Sequence, residues 1–143
     1  MPLRTHTGCT ILPYDRRTGR VLIARRSASD RLYPGMWETI GGSVEEGETL
    51  EECIRREVRE EIGCRVENLE PFRVYETLSG DDRYLSNVFT GTVRGRLRPN
   101  PHEVQEVRWI LPDEVGSFEF AANCGQKLMD FFRERGGGTR QPT

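Results

Sequence analysis

Apolar residues recur along this chain with two different periods. Residues 6–14, HTGCTILPY, and 20–26, RVLIARR, are short apolar runs separated by Asp15 to Gly19, and they predict two strands joined as a hairpin. A polar loop from Ser27 to Pro34 follows, then a short strand from Met36 to Ile40 that enters Gly41-Gly42. The period then lengthens to that of a helix. Thr49 and Glu52 form a T-x-x-E capping box and Gly63 supplies a stop, which predicts a helix over 50–62. Residues 64–78 alternate around Pro71 as one bent strand or two short ones, and Gly80-Asp81-Asp82 turns into a strand at 84–93. A basic loop at 94–102 leads to a strand at 104–110, a turn beginning Leu111-Pro112-Asp113, and an amphipathic helix over 119–134. The reading is one domain over 1–135 with a flexible tail at 136–143, built as a mixed sheet with helices on both faces.

The first helix has an odd wheel. With Glu57 set at zero and about 100° per residue, Leu50, Ile54, Val58 and Ile62 fill an arc from about 20° to 140°. Glu57 and Glu61 fall inside that arc and Glu60 at its edge, whereas Glu52, Arg55, Arg56 and Arg59 take the exposed side. Carboxylates pressed together against protein repel and are costly to desolvate unless cations neutralise them. Arg56 can pair with only some of them. A divalent cation would satisfy the rest, and oxygen ligands suit Mg²⁺ or Mn²⁺. The plain alternative is a solvated acidic face.

The residues ahead of the helix decide between the two. Gly42, Glu48, Arg56, Glu57, Val58, Glu60, Glu61, Gly63 and Cys64 fit G-x5-E-x7-R-E-U-x-E-E-x-G-U, with U apolar. This resembles the Nudix box, and the chain is identified as resembling a single-domain, MutT-like Nudix hydrolase. The resemblance implies an α/β/α sandwich with a mixed β-sheet, Mg²⁺ (or Mn²⁺) as cofactor, and Glu57, Glu60 and Glu61 as metal ligands with the Gly41 carbonyl. It casts Glu48 and Arg56 as supports, Arg56 orienting Glu57, and gives Gly42 and Gly63 structural roles. In the MutT-like branch a later glutamate, six residues before a tryptophan, joins the metal site. Glu103 stands six before Trp109, with Glu106 as the alternative base. Of the arginines ending the second strand, Arg26 is preferred to Arg25 for the substrate phosphates, because alternation puts Arg25 on the face of Val21 and Ile23.

The implied reaction is hydrolysis of a nucleoside diphosphate linked to another group. A (deoxy)nucleoside triphosphate cleaved to monophosphate and pyrophosphate is favoured; ADP-ribose, sugar nucleotides and dinucleoside polyphosphates are alternatives. A non-catalytic nucleotide sensor is the rival from another class. Trp37-Glu38-Thr39-Ile40 also resembles a segment of isopentenyl-diphosphate isomerases, whose cysteine motif is missing here. No Ser-His-Asp or Cys-His pattern is visible, so water is the expected nucleophile. Tyr33, Trp37, Tyr84 and Phe89 could stack on a base, but the sequence assigns none of them that role.

Net charge of −2 gives no support for a nucleic-acid or anionic-membrane surface. With no long apolar run, the expected partner is a small nucleotide, the expected location cytoplasmic, and the expected state monomer or homodimer. Cys9, Cys53, Cys64 and Cys124 contain no C-x-x-C pair and read as reduced, mostly buried thiols.

Overall fold

The computed structural model describes residues 2–139, the side chains of 136–139 excepted. Strand β1 (Arg4–Asp15) is the spine. It runs parallel to β6 (Asp82–Arg94), antiparallel to β4 (Ile40–Ser43), and meets β2 (Arg20–Arg26) only at the hairpin end, through Tyr14 opposite Val21 and Asp15 opposite Arg20. β6 carries the long β5 (Arg65–Ser79) on its other side, while β2 pairs with β3 (Trp37–Glu38) and β7 (Val104–Ile110).

Helix α1 (Leu50–Ile62) covers one face and α2 (Cys124–Thr139) the other. Alternation along the strands divides the core. Ile11, Leu22, Ala24 and Ile40 pack on Ile54, Val58 and Ile62 of α1, whereas Leu12, Val21, Ile23 and Val88 pack on Leu128, Phe131 and Phe132 of α2. β2 therefore reads as an unbroken apolar run, because both of its faces are covered. The α/β/α sandwich expected from the sequence is the fold found.

β2, α1 and β7 occupy the expected residues. Thr49 and Glu52 exchange reciprocal capping bonds of 3.1 and 2.8 Å, and Gly63 closes the helix in the left-handed region with φ 70°. The single strand expected over 36–40 is instead two. Trp37–Glu38 pairs with β2 and Ile40–Ser43 with β1, so the chain changes partner strand at Thr39. β5 is one strand with irregular register between Glu67 and Glu70 and again between Pro71 and Arg73.

Three expectations need correction. α2 begins at Cys124 and not at residue 119, since Glu119 and Ala121 give their backbone groups to Trp37 through two bonds of 2.8 Å. It also runs through residues 136–139 to Thr139, assigned above to the tail. The rest of that tail, 140–143, lies outside the described residues. Finally, Cys9 and Cys53 are not thiols but a disulfide. They stand 44 residues apart, and only the packing of α1 onto β1 brings them together, so no local spacing announces the bond. Cys64 and Cys124 are free and buried, as expected.

Candidate functional site

The change of strand at Thr39 and the last two turns of α1 create the site. Gly41 lies in the β1–β4 ladder opposite Thr10, and its N–H donates to Glu61 Oε2 at 3.2 Å. Glu61 is only 5% exposed. Burial first, and then the carboxylates of Glu57, Glu38 and Glu103, raise its pKa well above the ordinary range. Gly42 is shaped by Glu57, for a Cβ built there would stand 2.4 Å from Glu57 Oε2. That approach explains why this position excludes even alanine's methyl group unless Glu57 moves.

Arg56 does not take the exposed side that the wheel gave it. Its guanidinium folds back over the box loop, donating to Glu48 at 2.6 and 3.0 Å, Glu57 at 2.9 Å, Glu60 at 3.1 Å and the Ser43 carbonyl at 3.0 Å. The five-donor fork of arginine suits such a hub. Its charge-assisted bond, with one from the Glu45 N–H, holds the Glu48 carboxyl down at about 2. Arg56 thus ties Glu48, Glu57 and Glu60 to the box loop, and Gly63 closes the helix behind them.

Glu103 precedes β7 in an exposed loop, and its pKa is raised by partial burial and then by Glu57 and Glu60, which places it in their electrostatic neighbourhood. Glu106 is held elsewhere, between Arg25 at 3.4 Å and Arg108 at 3.5 Å. Glu57, Glu60, Glu61 and Glu103 share a neighbourhood, yet they do not form a closed cage. Glu60 turns onto Arg56 and Glu103 onto Asn100 at 3.5 Å. Among the described residues no three His, Cys, Asp or Glu side chains are gathered tightly enough to grip an ion as they stand. The donor set nevertheless fits a hard divalent cation, being carboxylates beside a backbone carbonyl with no soft ligand. Glu61 is buried beside Glu57, so a further positive charge besides Arg56 would offset the cost of holding its carboxylate there.

Both candidate substrate arginines are engaged within the chain. Arg25 donates to the Gly35 carbonyl at 2.9 Å and to Glu106. Arg26 donates to the Leu32 carbonyl at 2.9 Å and to Glu38 at 2.8 Å, while its Nη2 lies 3.7 Å from Asp30. Glu38 and Asp30 are members of the acidic neighbourhood that the sequence reading missed. Burial raises the Glu38 pKa against the pull of Arg26. Its only signal was position, two residues before Ile40 on the far side of the strand switch; Asp30 had none. A cavity of about 710 Å³ opens elsewhere, at the hairpin end of β1, around Tyr14, Arg16, Arg17, Asn68, Arg94 and Trp109. None of the box glutamates lines it.

Known proteins resemble this chain in sequence and in fold. The chain is 32% identical over 133 residues to the NAD-capped RNA hydrolase NudC of Pseudomonas aeruginosa, an alignment covering 88% of this chain and 44% of that protein. It is 31% identical over 120 residues to the isopentenyl-diphosphate Delta-isomerase of Leifsonia xyli, covering 78% of this chain and 63% of the relative. The chain therefore spans less than half the length of the NudC relative. Among solved structures, the E. coli ORF135 protein superposes with a TM-score of 0.75 at 22% identity, covering 99% of this chain and 96% of that one. The MutT NUDIX hydrolase of Burkholderia pseudomallei gives 0.74 at 19% identity, covering 89% and 97%. These two likenesses concern the fold. The family model of the NUDIX domain matches residues 4–131, nearly the whole described chain, and with the box intact on α1 this protein belongs to the Nudix family.

Proposed function

We infer that this chain is a Nudix pyrophosphohydrolase that uses Mg²⁺, or Mn²⁺, to hydrolyse a nucleoside diphosphate linked to another group. The observation that carries the reading is Glu61, buried against Glu57 beside Gly41 while Arg56 fixes Glu57 from the other side. Burying a carboxylate there is costly unless a cation offsets it, and one bond from the Gly41 N–H does not. Glu57, Glu60, Glu61, Glu103 and the Gly41 carbonyl are the proposed metal ligands. When bound, the metal supplies charge neutralisation for the diphosphate and lowers the pKa of water. The chain's own groups do the rest. Arg56 keeps Glu57 aimed at the site. Arg26 uses Nε and Nη1 within the chain, leaving the loosely held Nη2 to reach a phosphate oxygen. Glu103, with its raised pKa, accepts the proton of the attacking water.

The favoured substrate is a (deoxy)nucleoside triphosphate, giving a monophosphate and pyrophosphate. A dinucleotide or sugar nucleotide joined through a diphosphate, such as ADP-ribose or a dinucleoside polyphosphate, is the second reading, favoured by the NudC relatives. The intact box carboxylates argue against a sensor without catalysis. No helix among the described residues is long and apolar enough to cross a membrane. A cytoplasmic monomer or homodimer is the proposed setting, in which the Cys9–Cys53 bond, 1% and 0% exposed, is shielded from reducing thiols.

Product release from canonical and oxidised nucleoside triphosphates, ADP-ribose, a sugar nucleotide and diadenosine polyphosphates, with Mg²⁺ and with chelator, tests the reading. Chelator-sensitive turnover of one compound supports it. Tight binding of one compound with no turnover of any would point to the sensor.

A further inference from the structure

The loop 27–36 presents two side chains to which the reaction above assigns nothing. Leu32 is 65% exposed and Tyr33 40% exposed, adjacent apolar groups on a polar connection. Tyr33 also has a φ of 52°, in the left-handed region that a bulky side chain rarely enters. Such a conformation persists only where its surroundings over-determine it, and it concentrates at ligand sites.

Here the loop is wired from beneath. Arg26 holds the Leu32 carbonyl and Arg25 the Gly35 carbonyl, each at 2.9 Å, while Met36 donates to the Tyr33 carbonyl and Gly35 to the Ser27 carbonyl, both at 3.3 Å. The backbone is fixed and the two side chains stay in solvent. Holding the main chain while leaving a phenol ring open is the arrangement of a platform, since an aromatic ring brings large area at low entropic cost.

The wiring also fixes where the platform stands. One rigid guanidinium, that of Arg26, bridges the Leu32 carbonyl and the Glu38 carboxylate. Two hydrogen bonds and the width of the fork put those oxygens roughly 8 Å apart or less. Glu38 in turn stands three residues before Gly41, whose N–H donates to Glu61 at 3.2 Å. The loop that carries the exposed pair is therefore tied directly to the β3–β4 corner that holds Glu61, beside the carboxylates that a diphosphate would approach.

We propose that Tyr33, flanked by Leu32, is the surface on which the planar base of the substrate packs, with Arg25 and Arg26 as positioning residues that hold it. This rests on the hydrolase reading and gives the base of that nucleoside a place on the protein. A ring face reads no hydrogen-bonding edge, so the platform selects for the presence of a base more than for its identity.

Calorimetric binding with Mg²⁺ tests the proposal, using a non-hydrolysable methylene-bridged deoxynucleoside triphosphate and, as a base-free probe, methylenediphosphonate. Tyr33→Ala is expected to weaken the nucleotide analogue between five- and about a hundredfold, the range of base-on-aromatic stacking, with methylenediphosphonate unchanged within about twofold. Tyr33→Phe, which keeps the ring, stays within about twofold for both probes. Unchanged nucleotide affinity in Tyr33→Ala overturns the platform, and so does equal weakening of both probes. Wild-type turnover alongside an unaffected Tyr33→Ala would reject the platform and leave the hydrolase. Base-dependent weakening in a protein that turns over nothing would reject the hydrolase and keep the platform. A wild type that does not bind the analogue overturns the platform outright.

Discussion

Gly41 and Gly42 are neighbours with opposite reasons for being glycine, and alanine at each separates them. At Gly41 a Cβ would stand 2.0 Å from the Cys9 carbonyl oxygen and 2.8 Å from the Thr10 Cα. Both are backbone atoms of the strand paired with Gly41, so relief requires β1 and β4 to part. Overpacking costs about 1–3 kcal/mol, and each lost ladder bond about 1 kcal/mol more. Gly41→Ala should therefore lose about 3 kcal/mol or more. At Gly42 all three nearest atoms belong to the Glu57 carboxylate, the closest at 2.4 Å. A flexible carboxylate can retreat by roughly 1 Å to ordinary contact. Gly42→Ala should keep its stability within about 1 kcal/mol while a displacement of that size lowers turnover about a hundredfold. Urea unfolding in chelator reads the first quantity and Mg²⁺-dependent product release the second. Equal destabilisation by the two variants, or wild-type turnover in Gly42→Ala, would refute the assignment of Gly42 to Glu57.

Burial raises the Glu61 pKa, so the metal-free folded chain binds more protons there than the unfolded chain, and stability falls as pH rises from the ordinary carboxylate value of 4.5 towards the raised one. Glu61→Gln should accordingly stabilise the metal-free protein near neutrality and flatten that slope, as read by urea unfolding in chelator, yet abolish the stabilisation Mg²⁺ gives; a lower metal-free stability would contradict it. Titration of the denatured, unreduced protein with a thiol reagent should find two free cysteines, and loss of a crosslink between residues 44 apart should cost about 4 kcal/mol in unfolding measurements with reductant. Four free thiols would remove the bond. Glu103→Gln should slow turnover and erase the acid limb of the pH–rate profile while leaving substrate affinity within about twofold; an unchanged profile excludes it as the base.

What the sequence disclosed was whatever depends on near neighbours. Thr49, Glu52 and Gly63 mark the ends of α1 because capping bonds reach only three or four residues. The wheel placed Glu57 and Glu61 on the packed side because helical geometry is local. The same wheel misplaced Arg56, whose long side chain leaves its own helix position to reach Glu48 and Ser43. Glu38 and Asp30 went unassigned because their relation to Glu61 and Glu103 comes from β3 pairing with β2 and from the loop that Arg26 ties down. The Cys9–Cys53 bond and the late start of α2 were hidden for the same reason. Each depends on a partner distant in sequence, the second on Trp37 capturing the Glu119–Ala121 backbone.

The central claim is that the carboxylates of α1 bind a divalent metal, and Mn²⁺ titration followed by electron paramagnetic resonance tests it most directly. Wild-type protein should take up Mn²⁺ with Mg²⁺ competing, and Glu57→Gln should weaken that uptake at least about tenfold. Glu106→Gln, at a carboxylate held by Arg25 and Arg108, should match the wild type. Wild-type affinity in Glu57→Gln would contradict the account, because the metal would then be bound somewhere other than the helix around which the site is built.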